Sequence, residues 1–73
     1  MTERRTIARW ESRGGKYWCE LYADAWGYGY RTGDGGGFLG KLAGDVAALS
    51  IMAGKLPAMQ ADANVTPMRL VSG

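Results

Sequence analysis

Two runs of alternating apolar and polar residues flank a glycine pair. Ala8 and Trp10 precede Gly14-Gly15, Tyr17, Cys19 and Leu21 follow it, and Arg9, Glu11, Trp18 and Glu20 fall between them. A period of two is that of a strand with two unlike faces. Consecutive glycines tolerate the positive φ that tight hairpin turns require. The pattern predicts strands over residues 5–13 and 16–23 joined at Gly14-Gly15. A two-residue loop sets Arg13 opposite Lys16, Ser12 opposite Tyr17, Glu11 opposite Trp18, Trp10 opposite Cys19, Arg9 opposite Glu20, Ala8 opposite Leu21 and Ile7 opposite Tyr22. One face then collects Ala8, Trp10, Tyr17, Cys19 and Leu21 and reads as core. The other collects Arg9, Glu11, Arg13, Lys16, Trp18, Glu20 and Tyr22.

Trp26-Gly27-Tyr28-Gly29-Tyr30-Arg31 alternates strictly and predicts a third strand over 26–31, returning from a turn at Asp24-Ala25. An even loop centred there places Tyr28 opposite Leu21 and Tyr30 opposite Cys19 on the core face. Gly27, Gly29 and Arg31 then fall beside Tyr22, Glu20 and Trp18 on the outer face. An odd loop would exchange the two faces. Residues 32–37 read as a glycine-rich loop, after which Leu42, Val46, Leu49, Ala53 and Leu56 recur at helical spacing. The helix starts near residue 39 or, because Gly40 and Gly44 weaken a helix interior, near Asp45. Gly54 and Pro57 are expected to end it near residue 54 to 56, with Pro57 to Ala63 able to form a further short turn of helix. The C-terminal segment 57–73 holds a strand-like stretch over 65–71, which Pro67 restricts to an edge or a strand start. The expected fold is α+β: a three-stranded antiparallel meander backed by one main helix, with room for a fourth, C-terminal edge strand after the helix.

Length and composition narrow the chemistry. The 73 residues predict one domain, and a chain this short buries only about 60% of its unfolded surface, so a partner or a second copy would add stability. One cysteine and no histidine exclude an internal disulfide framework, Cys/His zinc sites and histidine-based catalysis. Cys19, on the core face, reads as an inert buried thiol. The seven carboxylates are scattered and interleaved with arginines, which suits surface ion pairs rather than a paired acid and base. No catalytic residue, cofactor or metal site is expected, and the chain is read as non-enzymatic. No apolar run reaches the length of a membrane span and no secretory pattern opens the chain, so a cytoplasmic location is expected.

Two loop patterns come close to nucleotide motifs. Gly35-Gly36-Gly37-Phe38-Leu39-Gly40 satisfies G-x-G-x-x-G, and Gly35 to Leu42 satisfies the phosphate-loop pattern except that Leu42 stands where a hydroxyl residue should hold magnesium. Both motifs belong to parallel βαβ sheets, unlike the meander expected here. A weaker expectation is an anion-binding nest of Gly35, Gly36 and Gly37 amides beside Lys41.

The working surface expected from the sequence is the outer sheet face, with Trp18 and Tyr22 flanked by Arg9, Arg13, Lys16 and Arg31. Aromatic and arginine residues anchor protein interfaces. Exposed rings can also stack on single-stranded bases, at about 1–3 kcal/mol per base. Residues 1–31 carry six basic and four acidic side chains and residues 32–73 three of each, an excess too small for a basic stripe. A protein partner is therefore preferred, with single-stranded nucleic acid as the alternative. The same rings could equally be covered by the C-terminal segment or by a second copy in a homodimer.

The series Arg9-Trp10-Glu11-Ser12, Gly15-Lys16-Tyr17-Trp18, Glu20-Leu21-Tyr22, Gly27-Tyr28-Gly29-Tyr30 and Gly33 to Gly40 resembles short orphan proteins of tailed bacteriophages. The resemblance spans residues 9–50 and rests on aromatic and glycine spacing. It implies an inhibitor or modulator that binds and redirects a host protein or complex in the bacterial cytoplasm. It attaches no activity and no catalytic residue.

Overall fold

A computed structural model of the chain describes residues 4–33, 35–63 and 69–72. Its elements are β1 (Arg5–Glu11), β2 (Trp18–Asp24), β3 (Gly27–Thr32), β4 (Gly35–Gly40), α1 (Asp45–Ala63) and β5 (Arg69–Ser72). The strands form one antiparallel sheet in the order β4-β3-β2-β1-β5. The α+β class with an antiparallel sheet and one helix is thus present. The sheet has five strands where three or four were expected, and α1 lies between β4 and β5.

The first hairpin keeps the register predicted from the glycine pair. Glu11 pairs with Trp18, Trp10 with Cys19, Arg9 with Glu20 and Ala8 with Leu21. A bulge between Thr6 and Ala8 then shifts the register, so that Tyr22 pairs with Thr6 instead of Ile7. The strands also stop short of the glycines. Arg13–Gly15 form a tight turn with both glycines at positive φ, and Arg13 and Lys16 are loop residues rather than a strand pair. Ser12 closes the loop: its amide donates to the Tyr17 carbonyl at 2.8 Å, and its buried hydroxyl accepts from the Tyr17 amide at 3.0 Å.

The second hairpin turns at Ala25-Trp26, one residue later than expected, where the Trp26 amide donates to Asp24 Oδ1 at 2.9 Å. Pairing therefore moves by two residues: Tyr30 lies opposite Leu21, Tyr28 opposite Ala23, Gly29 opposite Tyr22 and Arg31 opposite Glu20. A shift of two preserves the faces, so both tyrosines stay on the core side as predicted.

The glycine stretch departs most from expectation. Residues read as a loop form β4, with Gly35, Gly36 and Gly37 laddered to Thr32, Arg31 and Tyr30. Close packing requires the glycines: a Cβ at Gly37 would sit 2.9 Å from the Tyr30 ring, and one at Gly27 would sit 2.5 Å from the Gly40 carbonyl oxygen. Consecutive amides along a strand point to opposite edges, so the nest expected at Gly35-Gly36-Gly37 beside Lys41 gives way to a sheet edge.

The helix starts at Asp45, the later of the two expected starts, and runs through Pro57 to Ala63 instead of ending near residue 54 to 56. An interior proline costs about 3 kcal/mol; the helix carries it with Leu56 and Met59 packed against the core on either side. The core face of α1 is rotated by about one residue from the expected stripe. Ala48 and Met52 are fully buried, Leu49 and Leu56 are half-buried, and Val46 is 78% exposed. Ala48 and Met52 pack with Ala8, Trp10, Cys19 and Leu21, placing the core between α1 and one sheet face. Tyr17 is half-buried and stands outside that cluster. The C-terminal strand is the fifth and occupies an edge, beside β1. Residues 64–68, including Pro67 and the first part of that expected strand, lie outside the described residues.

Candidate functional site

The sheet face away from α1 is built by the same alternation that fills the core. It carries Arg9 and Glu11 from β1, Trp18, Glu20 and Tyr22 from β2, and Gly29 and Arg31 from β3. Glu20 is the centre of its polar network, only 14% exposed, accepting from Arg9 Nη1 at 2.9 Å and Arg31 Nε at 2.8 Å. Arg9 also donates through Nε to Glu11 at 2.8 Å, so its guanidinium is shared by two carboxylates. Burial opposes ionisation of Glu20, but the hydrogen bonds from Arg31 and Arg9 outweigh it and hold the carboxyl below its ordinary pKa. Within this network two arginines are matched by two carboxylates.

Two arginines of this face lie over its rings. The Arg9 guanidinium carbon stands 4.7 Å from the Trp18 ring centroid, and that of Arg4 stands 4.1 Å from the Tyr22 centroid, both within cation–π range. The Tyr22 ring crosses to β3 and lies over Gly29, where a Cβ would come within 2.5 Å of its hydroxyl oxygen. The Trp18 indole reaches toward Gly33, whose Cβ would lie 3.6 Å from Nε1. Phe38, directly opposite Gly29 on β4, adds a third ring that is 60% exposed.

The structure thus brings Trp18, Tyr22, Arg9 and Arg31 together on one face and sets Arg13 and Lys16 at the hairpin tip at its end. It adds Arg4 and Phe38, which sequence reasoning missed. Arg4 precedes the first strand and carries no pattern, whereas the G-F-L-G run could have been read as aromatic–glycine alternation like that of β3. Among the described residues no element packs over this face, and β5 joins the sheet edge to edge.

The opposite face carries a second polar cluster. At the first turn of α1, Asp45 accepts from the Arg5 guanidinium at 3.0 and 3.2 Å and from the Tyr28 hydroxyl at 2.8 Å. The bonds from Arg5 and then Tyr28 lower the Asp45 pKa, and the bond to Asp45 raises that of Tyr28. This clasp ties the helix start to β1 and β3.

Cys19 is fully buried, and desolvation pushes its thiol up to about 11. Among the described residues no group of three potential metal ligands converges, and no helix is long and apolar enough to cross a membrane. Comparison with protein-family models, with curated proteins and with solved structures finds no match.

Proposed function

We propose that this chain is a non-enzymatic binding module that captures and modulates another protein through its outer sheet face, with Trp18 and Tyr22 as anchors and Arg4, Arg9 and Arg31 around them. The observation behind this reading is a ring stacked on a carboxylate-paired arginine, Trp18 on Arg9, with Arg4 over Tyr22 beside it. Arg9 is held between Glu11 and Glu20 beneath its contact with Trp18, and Arg31 is held by Glu20. Side chains locked in this way lose little conformational freedom on binding, which favours affinity. Aromatic and arginine anchors with a polar surround are the usual composition of protein interfaces. A phosphate backbone would have to displace Glu11 and Glu20 from the same arginines, which disfavours single-stranded nucleic acid. Arg13 and Lys16 at the hairpin tip extend the face at its rim. The resemblance to bacteriophage orphan proteins suggests a bacterial host protein as the target and the bacterial cytoplasm as the place.

A photo-crosslinking amino acid at position 18, with position 46 on the exposed side of α1 as control, tests the proposal in bacterial extract. A discrete protein adduct at position 18, absent at position 46 and resistant to nuclease, is the expected result. Adducts of equal yield at both positions, or adducts that vanish on nuclease treatment, would overturn it.

A further inference from the structure

Two glycines of the sheet act as seats for aromatic rings of the neighbouring strand, each time at a directly paired position. Tyr22 of β2 lies over Gly29 of β3, and Tyr30 of β3 lies against Gly37 of β4. The next ring outward is Phe38, on the edge strand and largely exposed. Its own strand carries a glycine two residues earlier, Gly36. An antiparallel two-fold pairing of β4 with β4 of a second copy, centred on Gly37, sets residue 38 of each chain opposite residue 36 of the other. Within its own sheet Phe38 faces Gly29, which the Tyr22 ring already covers; directly opposed residues share a face, so across the pairing each Phe38 ring gains a glycine that no ring of its own chain occupies.

We infer that the β4 edge is a homodimer interface, in which two copies join their sheets through antiparallel β4–β4 pairing with each Phe38 ring seated on the partner's Gly36. The edge itself supports this occupant. Sheet edges are ordinarily guarded by charges, prolines or brevity. β4 runs for six residues, Gly35–Gly40, with neither a charge nor a proline. The opposite edge, β5, has four residues and begins with Arg69. Gly35 and Gly36 are exposed; a Cβ at Gly35 would meet nothing within 4 Å, whereas one at Gly36 would strike the Tyr30 carbonyl of β3, so position 36 stays bare of a side chain. A small core of Ala8, Trp10, Cys19, Leu21, Ala48 and Met52 also leaves the chain in the size range where association contributes most to stability. The interface lies at the sheet margin and does not depend on the outer-face reading.

Sedimentation of the full chain from micromolar to millimolar concentration tests the inference. The expected species has twice the 7.9 kDa chain mass, Phe38→Lys returns it to the single-chain mass, and Trp18→Ala with Tyr22→Ala leaves it dimeric. Circular dichroism checks that Phe38→Lys stays folded. Should it unfold, amide exchange of the unaltered chain decides, with residues 35–39 gaining protection as concentration rises. A single-chain mass throughout, a folded Phe38→Lys that remains dimeric, or concentration-dependent protection confined to another element would overturn the inference.

Discussion

The Tyr22 ring lies over Gly29 on the neighbouring strand, so closely that a Cβ at residue 29 would stand 2.5 Å from its hydroxyl oxygen and 2.7 Å from Cζ. Gly29 is itself buried beneath the ring. Gly29→Ala is therefore expected to lift Tyr22 off the sheet and destabilise the fold by about 1–3 kcal/mol, the usual cost of overpacking. Gly54→Ala is the contrasting case, because its Cβ meets nothing within 4 Å and the residue lies in α1. It should stabilise by about 1 kcal/mol through helix propensity. Urea denaturation of the two variants should give midpoint shifts of opposite sign.

The clasp of Arg5, Tyr28 and Asp45 predicts loss of stability at both ends of the pH range. Asp45 has a lowered pKa in the folded chain, so its contribution is present above the ordinary value of about 3.9 and is lost as pH falls through the folded value. Glu20 adds to the same acid limb. Tyr28 has a raised pKa, so its contribution is present below about 10 and is lost as pH rises through the folded value. Asp45→Asn should flatten its share of both limbs. Tyr28→Phe should remove the alkaline share and leave most of the acid share, which Arg5 holds. Thermal midpoints collected from pH 2 to pH 11 would separate them.

The matched charges on the outer face predict how it can be converted. Glu11→Gln with Glu20→Gln frees Arg9 and Arg31 from their carboxylates while leaving Trp18 and Tyr22 in place. Titration with oligothymidylate at low salt should leave the tryptophan fluorescence of the unaltered chain unchanged. The double variant should show quenching that weakens as salt rises. Quenching of equal strength in both proteins would mean that the carboxylates do not guard the face.

Cys19 is expected to be unreactive while the chain is folded, because burial both blocks access and pushes the thiol up to about 11. A disulfide reagent at pH 8 should label it only at the rate of unfolding. The rate should rise to that of a free thiol in denaturant. Rapid labelling of the native chain would show that the sheet and α1 separate readily.

The first hairpin was legible in the sequence because its determinants are local. A glycine pair sets the turn, and alternation sets the faces, so Trp10–Cys19 and Arg9–Glu20 pairing follows from counting. The outer-face cluster of Trp18, Tyr22, Arg9 and Arg31 followed for the same reason. The bulge that takes Ile7 out of register has no local signature. Nor does the one-residue displacement of the second turn, since Asp24-Ala25 and Ala25-Trp26 give the same alternation and differ only in which residues face each other.

What the chain's own order of residues determined is therefore the class of the fold, the division of the sheet into a filled face and a ringed one, and the burial of Cys19. Tertiary structure alone decided that Gly35–Gly40 is a strand, that α1 passes through Pro57, and that Glu20 gathers Arg31 as well as Arg9. Glycine has almost no conformational preference of its own, so its state is settled by the Tyr30 ring and β3 backbone beside it. Proline's penalty is likewise local, while the packing of Leu56 and Met59 on either side of it depends on residues far away in the chain.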